Sequence, residues 1–241
     1  ISINLGEIMS ILNKNNTKLL RSTLLTIFML QLGLAQIEFG EQNIIIDSAL
    51  DAHSVYAVDV DGDGDIDVLS ASNWDHTVAW YENDGAGNFS ERIISTLADG
   101  AFSVYAADMD GDGDMDVLSA GDGDNTIAWY KNDGNQNFTK INITTEALDA
   151  HSVYAEDVDG DGDMDVLSAS YWDDTISWYK NDGNQNFTKI DITTSALGAN
   201  CVYAADMDGD GDMDVLSSSE EDETIAWYKN DGNQNFTKIN I

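Results

Sequence analysis

Proline is absent from the 241 residues, and cysteine occurs once. Every turn must therefore be made by Gly, Asn and Asp, the other residues that tolerate tight backbone corners. The single thiol, Cys201, excludes an internal disulfide framework. Bases are scarce too: 10 Lys+Arg stand against 45 Asp+Glu, a formal net charge of −35. Nucleic acid and anionic membrane surfaces would both repel such a chain and are excluded as partners. Acidity of this degree accompanies disorder only where apolar and aromatic residues are few. Here they make up 42% and 9%, so a folded core is expected. No apolar run reaches the roughly 20 residues of a membrane-spanning helix.

The longest apolar run follows Lys18 and Arg21 and extends from Leu24 through Ile27-Phe28-Met29-Leu30 to Leu34-Ala35. Basic residues, a short apolar stretch and a small residue before Gln36 make a signal-peptide pattern over residues 1–35, with a buried core helix as the alternative. Met9 fits as the true start. The pattern implies a secreted or cell-surface protein, exported in the bacterial manner.

What the chain has in abundance is repetition. Asp59, Asp108, Asp157 and Asp206 recur at a spacing of 49, as do Trp80, Trp129, Trp178 and Trp227. Asn83-Asp84-Gly85 returns at 132, 181 and 230, and Phe89 at 138, 187 and 236. Val104–Ser119 is identical to Val202–Ser217. Four copies without insertion, near 46–94, 95–143, 144–192 and 193–241, must share one structural unit.

Within a unit the pattern is β throughout. Residues 103–107, 117–120, 126–131 and 137–143 are rich in Val, Ile, Thr, Tyr and Trp and are separated by Asp/Gly and Asn-Asp-Gly corners. Four short antiparallel strands in about 50 residues match one blade of a β-propeller, in which each blade meets the next through the same interface. A β-solenoid fits less well, because its turns are shorter. Residues 37–46 resemble a spare outer strand ahead of the first unit, while the fourth unit ends on its own outer strand. The expected architecture is thus all-β: residues 36–241 as four four-stranded blades of an incomplete ring within a longer protein, or a ring closed in an unusual way.

Each connection between the first and second strands reads Asp-x-Asp-Gly-Asp-Gly-Asp-x-Asp. Taking Asp59 as position one, carboxylates fall at Asp59, Asp61, Asp63 and Asp67, Gly64 makes the sharp turn, and Asp65 offers its main-chain carbonyl. Hard oxygen donors alternating around a glycine turn suit calcium, and their crowding demands a cation. Zinc and copper would want imidazole or thiolate, which the loops lack. An EF-hand or dockerin loop needs an acid at position twelve, where Ser70, Ser119, Ser168 and Ser217 stand. Glycine-rich toxin nonapeptides do not match the 49-residue spacing, and thrombospondin-type repeats are rich in cysteine.

The loop followed by Val-Leu, then Trp-Tyr-x-Asn-Asp-Gly and Asn-Phe, resembles the FG-GAP/VCBS repeat family, the blades of integrin-α-like propellers. The resemblance covers residues 37–241 and implies a propeller, usually of seven or eight blades, with calcium between the two inner strands. It carries the metal role onto Asp59, Asp61, Asp63, Asp65 and Asp67. It does the same for Asp108, Asp110, Asp112, Asp114 and Asp116, for Asp157, Asp159, Asp161, Asp163 and Asp165, and for Asp206, Asp208, Asp210, Asp212 and Asp214: four ions in all. Family members are mainly adhesion, lectin-like and secreted surface proteins, with some polysaccharide lyases.

Differences between the units concentrate at the other end of the strands. The second-to-third connections read Asn73-Trp74-Asp75-His76, Asp122-Gly123-Asp124-Asn125, Tyr171-Trp172-Asp173-Asp174 and Glu220-Glu221-Asp222-Glu223. Aromatics beside polar groups can stack on sugar rings, so Trp74, His76, Tyr171 and Trp172 are the candidate ligand contacts, for a glycan or an extracellular protein. Unconstrained drift in surface loops is the competing explanation. Catalysis needs a positioned acid and base. With His53, His76 and His151 as the whole histidine set, a non-enzymatic binding or adhesion module is favoured over a part of a polysaccharide lyase. Cys201, standing where other units have serine, is expected to be a small buried residue.

Overall fold

The computed structural model describes residues 43–239, which contain strands and no helix. The expected signal segment and residues 37–42 of the expected spare strand lie outside this range, and residues 43–46 form no strand. The first blade is β1 (Ala52–Val58), β2 (Asp67–Ser72), β3 (Thr77–Asn83) and β4 (Phe89–Ser95). The second is β5 (Ala101–Ala107), β6 (Asp116–Gly121), β7 (Thr126–Asn132) and β8 (Phe138–Thr144). The third is β9 (Ala150–Glu156), β10 (Asp165–Ser170), β11 (Thr175–Asn181) and β12 (Phe187–Thr193). The fourth is β13 (Ala199–Ala205), β14 (Asp214–Ser219), β15 (Thr224–Asn230) and β16 (Phe236–Ile239). Each blade is its own antiparallel sheet with strands in sequence order.

Alternation along the strands gives every blade two different faces. Leu118, Ala120, Ile127 and Trp129 of the second blade pack on Val153, Ala155, Val166 and Tyr179 of the third. The same Leu/Trp face meets the same Val/Tyr face between blades one and two and between blades three and four. The first strands form the inner edge, β1 against β5, β5 against β9 and β9 against β13, while the phenylalanine-bearing strands are outermost. Along that inner edge Tyr56, Tyr105, Tyr154 and Tyr203 form a ladder with ring centroids 4.6, 4.8 and 4.7 Å apart. Burial pushes the Tyr154 hydroxyl up to about 12.

The array is open. Val55 is 72% exposed where Val104 is 4% exposed, and Ile225 is 79% exposed where Ile127 is fully buried. The described residues thus form an open run of blades rather than a closed ring, as expected.

Cys201 corrects the expectation of a buried residue: it is exposed. Its serine counterparts are seam residues. The hydroxyl oxygens of Ser54, Ser103 and Ser152 each accept the main-chain N–H of Val104, Val153 and Val202 in the following blade, at 3.3 Å. The position is an inter-blade acceptor, and size alone does not define it.

Trp129 is fully buried between blades whereas Trp74 is 73% exposed. Chemical denaturation should find Trp129→Ala destabilising by about 3–5 kcal/mol and Trp74→Ala by about 0.5 kcal/mol or less. Equal losses would contradict this interface.

Candidate metal centre

The loop between β1 and β2 is shaped by its own carboxylates. Asp59 accepts the N–H groups of Gly62 and Gly64 at 2.8 and 3.0 Å, and Asp63 accepts that of Asp65 at 2.9 Å. Gly64 has φ +97°, a left-handed conformation that other residues adopt only with strain. Nothing lies within 4 Å of the place its Cβ would occupy, so conformation, not crowding, selects glycine there.

Asp67 starts β2 and is fully buried. One of its oxygens accepts the Val60 N–H at 3.0 Å and the other the Asn83 N–H at 2.8 Å. It therefore ties the loop to the end of β3. Asp116, Asp165 and Asp214 repeat this bridge. Burial raises the pKa of Asp116 to about 6 and that of Asp165 to about 7, against the lowering effect of those N–H donors.

Around these braces the carboxylates converge. Oxygens of Asp59, Asp61 and Asp67 lie within 4.8 Å of one another, as do those of Asp108, Asp110 and Asp116 and of Asp157, Asp159 and Asp165. In the fourth loop the converging set is Asp206, Asp208 and Asp210. The donors are all hard oxygens, and Oδ1 of Asp110 and of Asp159 is buried without any partner. An orphaned carboxylate oxygen inside an acidic cluster fits a divalent cation. Asp65, Asp114, Asp163 and Asp212 turn their side chains elsewhere, against the glycine of the Asn-Asp-Gly corner. A Cβ on Gly85 would sit 2.3 Å from Asp65 Oδ2, so that corner packs directly on the loop. The corner aspartates stand apart as well: Asp133 is held below the usual carboxylate range by the Asn137 side chain and the Asn135 N–H.

A family model described as an FG-GAP-like repeat matches residues 59–119, 108–168 and 157–217, most of the chain. This chain belongs to the FG-GAP-like repeat family. No curated protein matches it. Among solved structures it is similar to an Agrocybe aegerita lectin described as recognising non-reducing terminal N-acetylglucosamine, at 18% identity and TM-score 0.54, over 78% of this chain and 52% of the lectin. A functionally unknown protein of Desulfotomaculum acetoxidans aligns at 12% identity and TM-score 0.55, over 78% and 55% of the two chains. The V. cholerae biofilm matrix protein Bap1 aligns at 22% identity and TM-score 0.49, over 78% and 28%. The chain thus spans about half or less of the length of these proteins.

At the opposite edge of these FG-GAP blades lie the variable loops. Trp74 and Trp172 are 73% and 72% exposed, on the first and third blades. Their loops are held to the preceding connection by main-chain bonds, Trp74 N–H to Leu50 O and Trp172 N–H to Leu148 O. His76 is left-handed (φ 57°), and its Nδ1 accepts the Gly100 N–H at 3.0 Å, a structural duty. Tyr171 stacks on His151 at 4.9 Å. The inter-blade positions extend this into a row the loop sequences alone did not reveal: His53, Phe102 and His151 have centroids 4.2 and 4.1 Å apart. Asp122 and Asp149 approach His151 closely enough to form a further polar cluster. The exposed edge thus pairs two protruding tryptophans with an aromatic–imidazole row.

The raised carboxylates set a pH dependence. Folded Asp116 and Asp165 hold protons that the unfolded chain releases near pH 3.8, so their contribution to stability is present at low pH and lost as pH rises to about 6 and 7. In chelator, the denaturation midpoint should fall over that window, and Asp165→Asn should flatten part of the slope. An unchanged slope in Asp165→Asn would contradict this account.

Proposed function

We propose that the chain is a calcium-stabilised, non-catalytic binding module of a secreted or cell-surface protein, with a carbohydrate or extracellular protein as its ligand. The observation that carries this reading is the division of each blade into a constant edge and a variable one. The constant edge repeats the Asp-rich loop, its bridging buried carboxylate and the packed Asn-Asp-Gly corner. The variable edge carries solvent-exposed Trp74 and Trp172. A fold of repeated blades presents its differing loops side by side, the usual arrangement of a recognition surface.

In this reading calcium is held by positions one, three, five and nine of each loop, with the carbonyl of position seven as a further donor. It supplies positive charge to carboxylates that otherwise repel one another, and so fixes the β1–β2 connection and its equivalents. The tryptophans present flat apolar faces to a sugar ring or an apolar side chain. The lectin of like fold supports the reading at the level of architecture.

Two measurements test it. Saturating calcium at 100 times Kd adds about 2.7 kcal/mol per site, so chelation should lower the melting temperature markedly and Asp61→Ala should reproduce part of the loss. Identical melting curves with and without chelator would remove calcium from the account. On a glycan array, Trp74→Ala and Trp172→Ala should each weaken the captured ligand by about 2 kcal/mol without changing the melting temperature. Undiminished capture by both variants would move the ligand surface elsewhere.

A further inference from the structure

The four loops carry the same five aspartates but differ in one neighbour. Two residues after the blade tryptophan stand Glu82, Lys131, Lys180 and Lys229. In the last three blades that lysine reaches into the loop. Lys180 Nζ contacts the carboxylate of Asp159 and lies 3.1 Å from that of Asp161. Lys229 does the same with Asp208 and, at 3.0 Å, with Asp210, and Lys131 with Asp110 and, at 3.6 Å, with Asp112. These are positions three and five of the loop; position three belongs to the converging carboxylates in every blade, and position five in the fourth.

The first blade has no such ammonium. Glu82 is taken by Arg92 of the outer strand, whose Nε donates to Glu82 Oε2 at 2.5 Å. The same guanidinium lies 5.4 Å from the centre of the Trp80 ring. The positions equivalent to Arg92 are Ile141, Ile190 and Ile239. The first blade has thus exchanged a lysine beside the loop for an arginine on the far strand. Asp61 receives only neutral donors, the Asp63 N–H and the Gln136 side-chain amide, each at 3.3 Å.

The lysine does not satisfy its loop. The Asp159 side chain is 10% exposed, and its Oδ2 takes both Lys180 and the Gln234 amide at 3.2 Å. Its Oδ1 is buried and has no partner. Asp110 is left in the same state. A group with three donors on a long stem fills one side of the carboxylate, whereas an ion among the oxygens would meet both.

We propose that the loops are two kinds of divalent-cation site: a tight one in the first blade, and weaker ones in the other three, where the ion must displace a resident lysine. This rests on the reading that the loops hold calcium. Binding in the last three blades returns the ammonium to water with its proton and charge unchanged.

Calorimetric titration of the chelator-treated full chain with calcium chloride tests it. We expect one tight site and three that are about tenfold or more weaker, the scale of a lost charge-assisted hydrogen bond. Glu82→Lys should merge all four into the weak class, and Lys180→Met should create a second tight site. Glu82→Gln should keep the tight site, because it introduces no competing cation. Circular dichroism checks that each variant is folded. A single class of four sites unaltered by Glu82→Lys would overturn the proposal while leaving calcium binding intact. Loss of the tight class in Glu82→Gln would overturn it by making Glu82 itself a ligand. Absence of any binding heat would overturn both the proposal and the calcium reading.

Discussion

Each blade depends on a carboxylate buried at the start of its second strand. Asp67 gives one oxygen to the loop and the other to the end of the third strand, and Asp116, Asp165 and Asp214 do the same. Removing such a group from water is costly unless its oxygens are bonded, and here two main-chain N–H groups bond them. The position of the Asn-Asp-Gly corner follows, since Asn83 begins that corner. The corner in turn closes over Asp65 at Gly85. The loop is thus shaped by main-chain hydrogen bonds to its own carboxylates, Asp59 and Asp63 as well as Asp67.

The blades are then joined by one interface used three times. A Leu/Trp face meets a Val/Tyr face, and a serine hydroxyl accepts an N–H across the seam. The Asn-Asp-Gly asparagine adds a second seam bond: the Asn230 side chain donates to Val158 O of the preceding blade at 3.2 Å. Because the interior repeats, change is tolerated where it does not propagate, in the loops at the opposite edge. Trp74 and Trp172 are exposed there, and Tyr171 stacks on His151 at the end of the row His53, Phe102, His151. A constant skeleton carrying a variable rim is the physical basis of the binding role proposed above.

Much of this was legible along the chain. Enrichment of residues 126–131 in β-forming residues identified a strand, and the uninterrupted 49-residue spacing identified the blade. That both faces of this strand are buried came only from the packing of neighbouring blades. The spacing of Asp59, Asp61, Asp63 and Asp67 marked a hard-cation loop, but it could not separate their tasks. Asp67 is a brace with both oxygens already engaged, whereas Asp159 keeps a buried oxygen free. Lys131 is 21 residues from Asp110 and Gln136 is 75 from Asp61, so neither contact has a local signature. Cys201 shows the same limit, because the task of that position is defined by a strand from another blade.

The sequence by itself determined the unit: four strands, their order, the oxygen-rich loop and the sign of the charge around it. These follow from periodicity, turn residues and composition, which act over a few residues at a time. Tertiary structure alone decided which carboxylate braces and which stays open, which carboxylates the lysine after the blade tryptophan touches, and which aromatics reach water. Those outcomes depend on groups brought together from distant strands, and burial and hydrogen bonding act on distance in space rather than on separation along the chain.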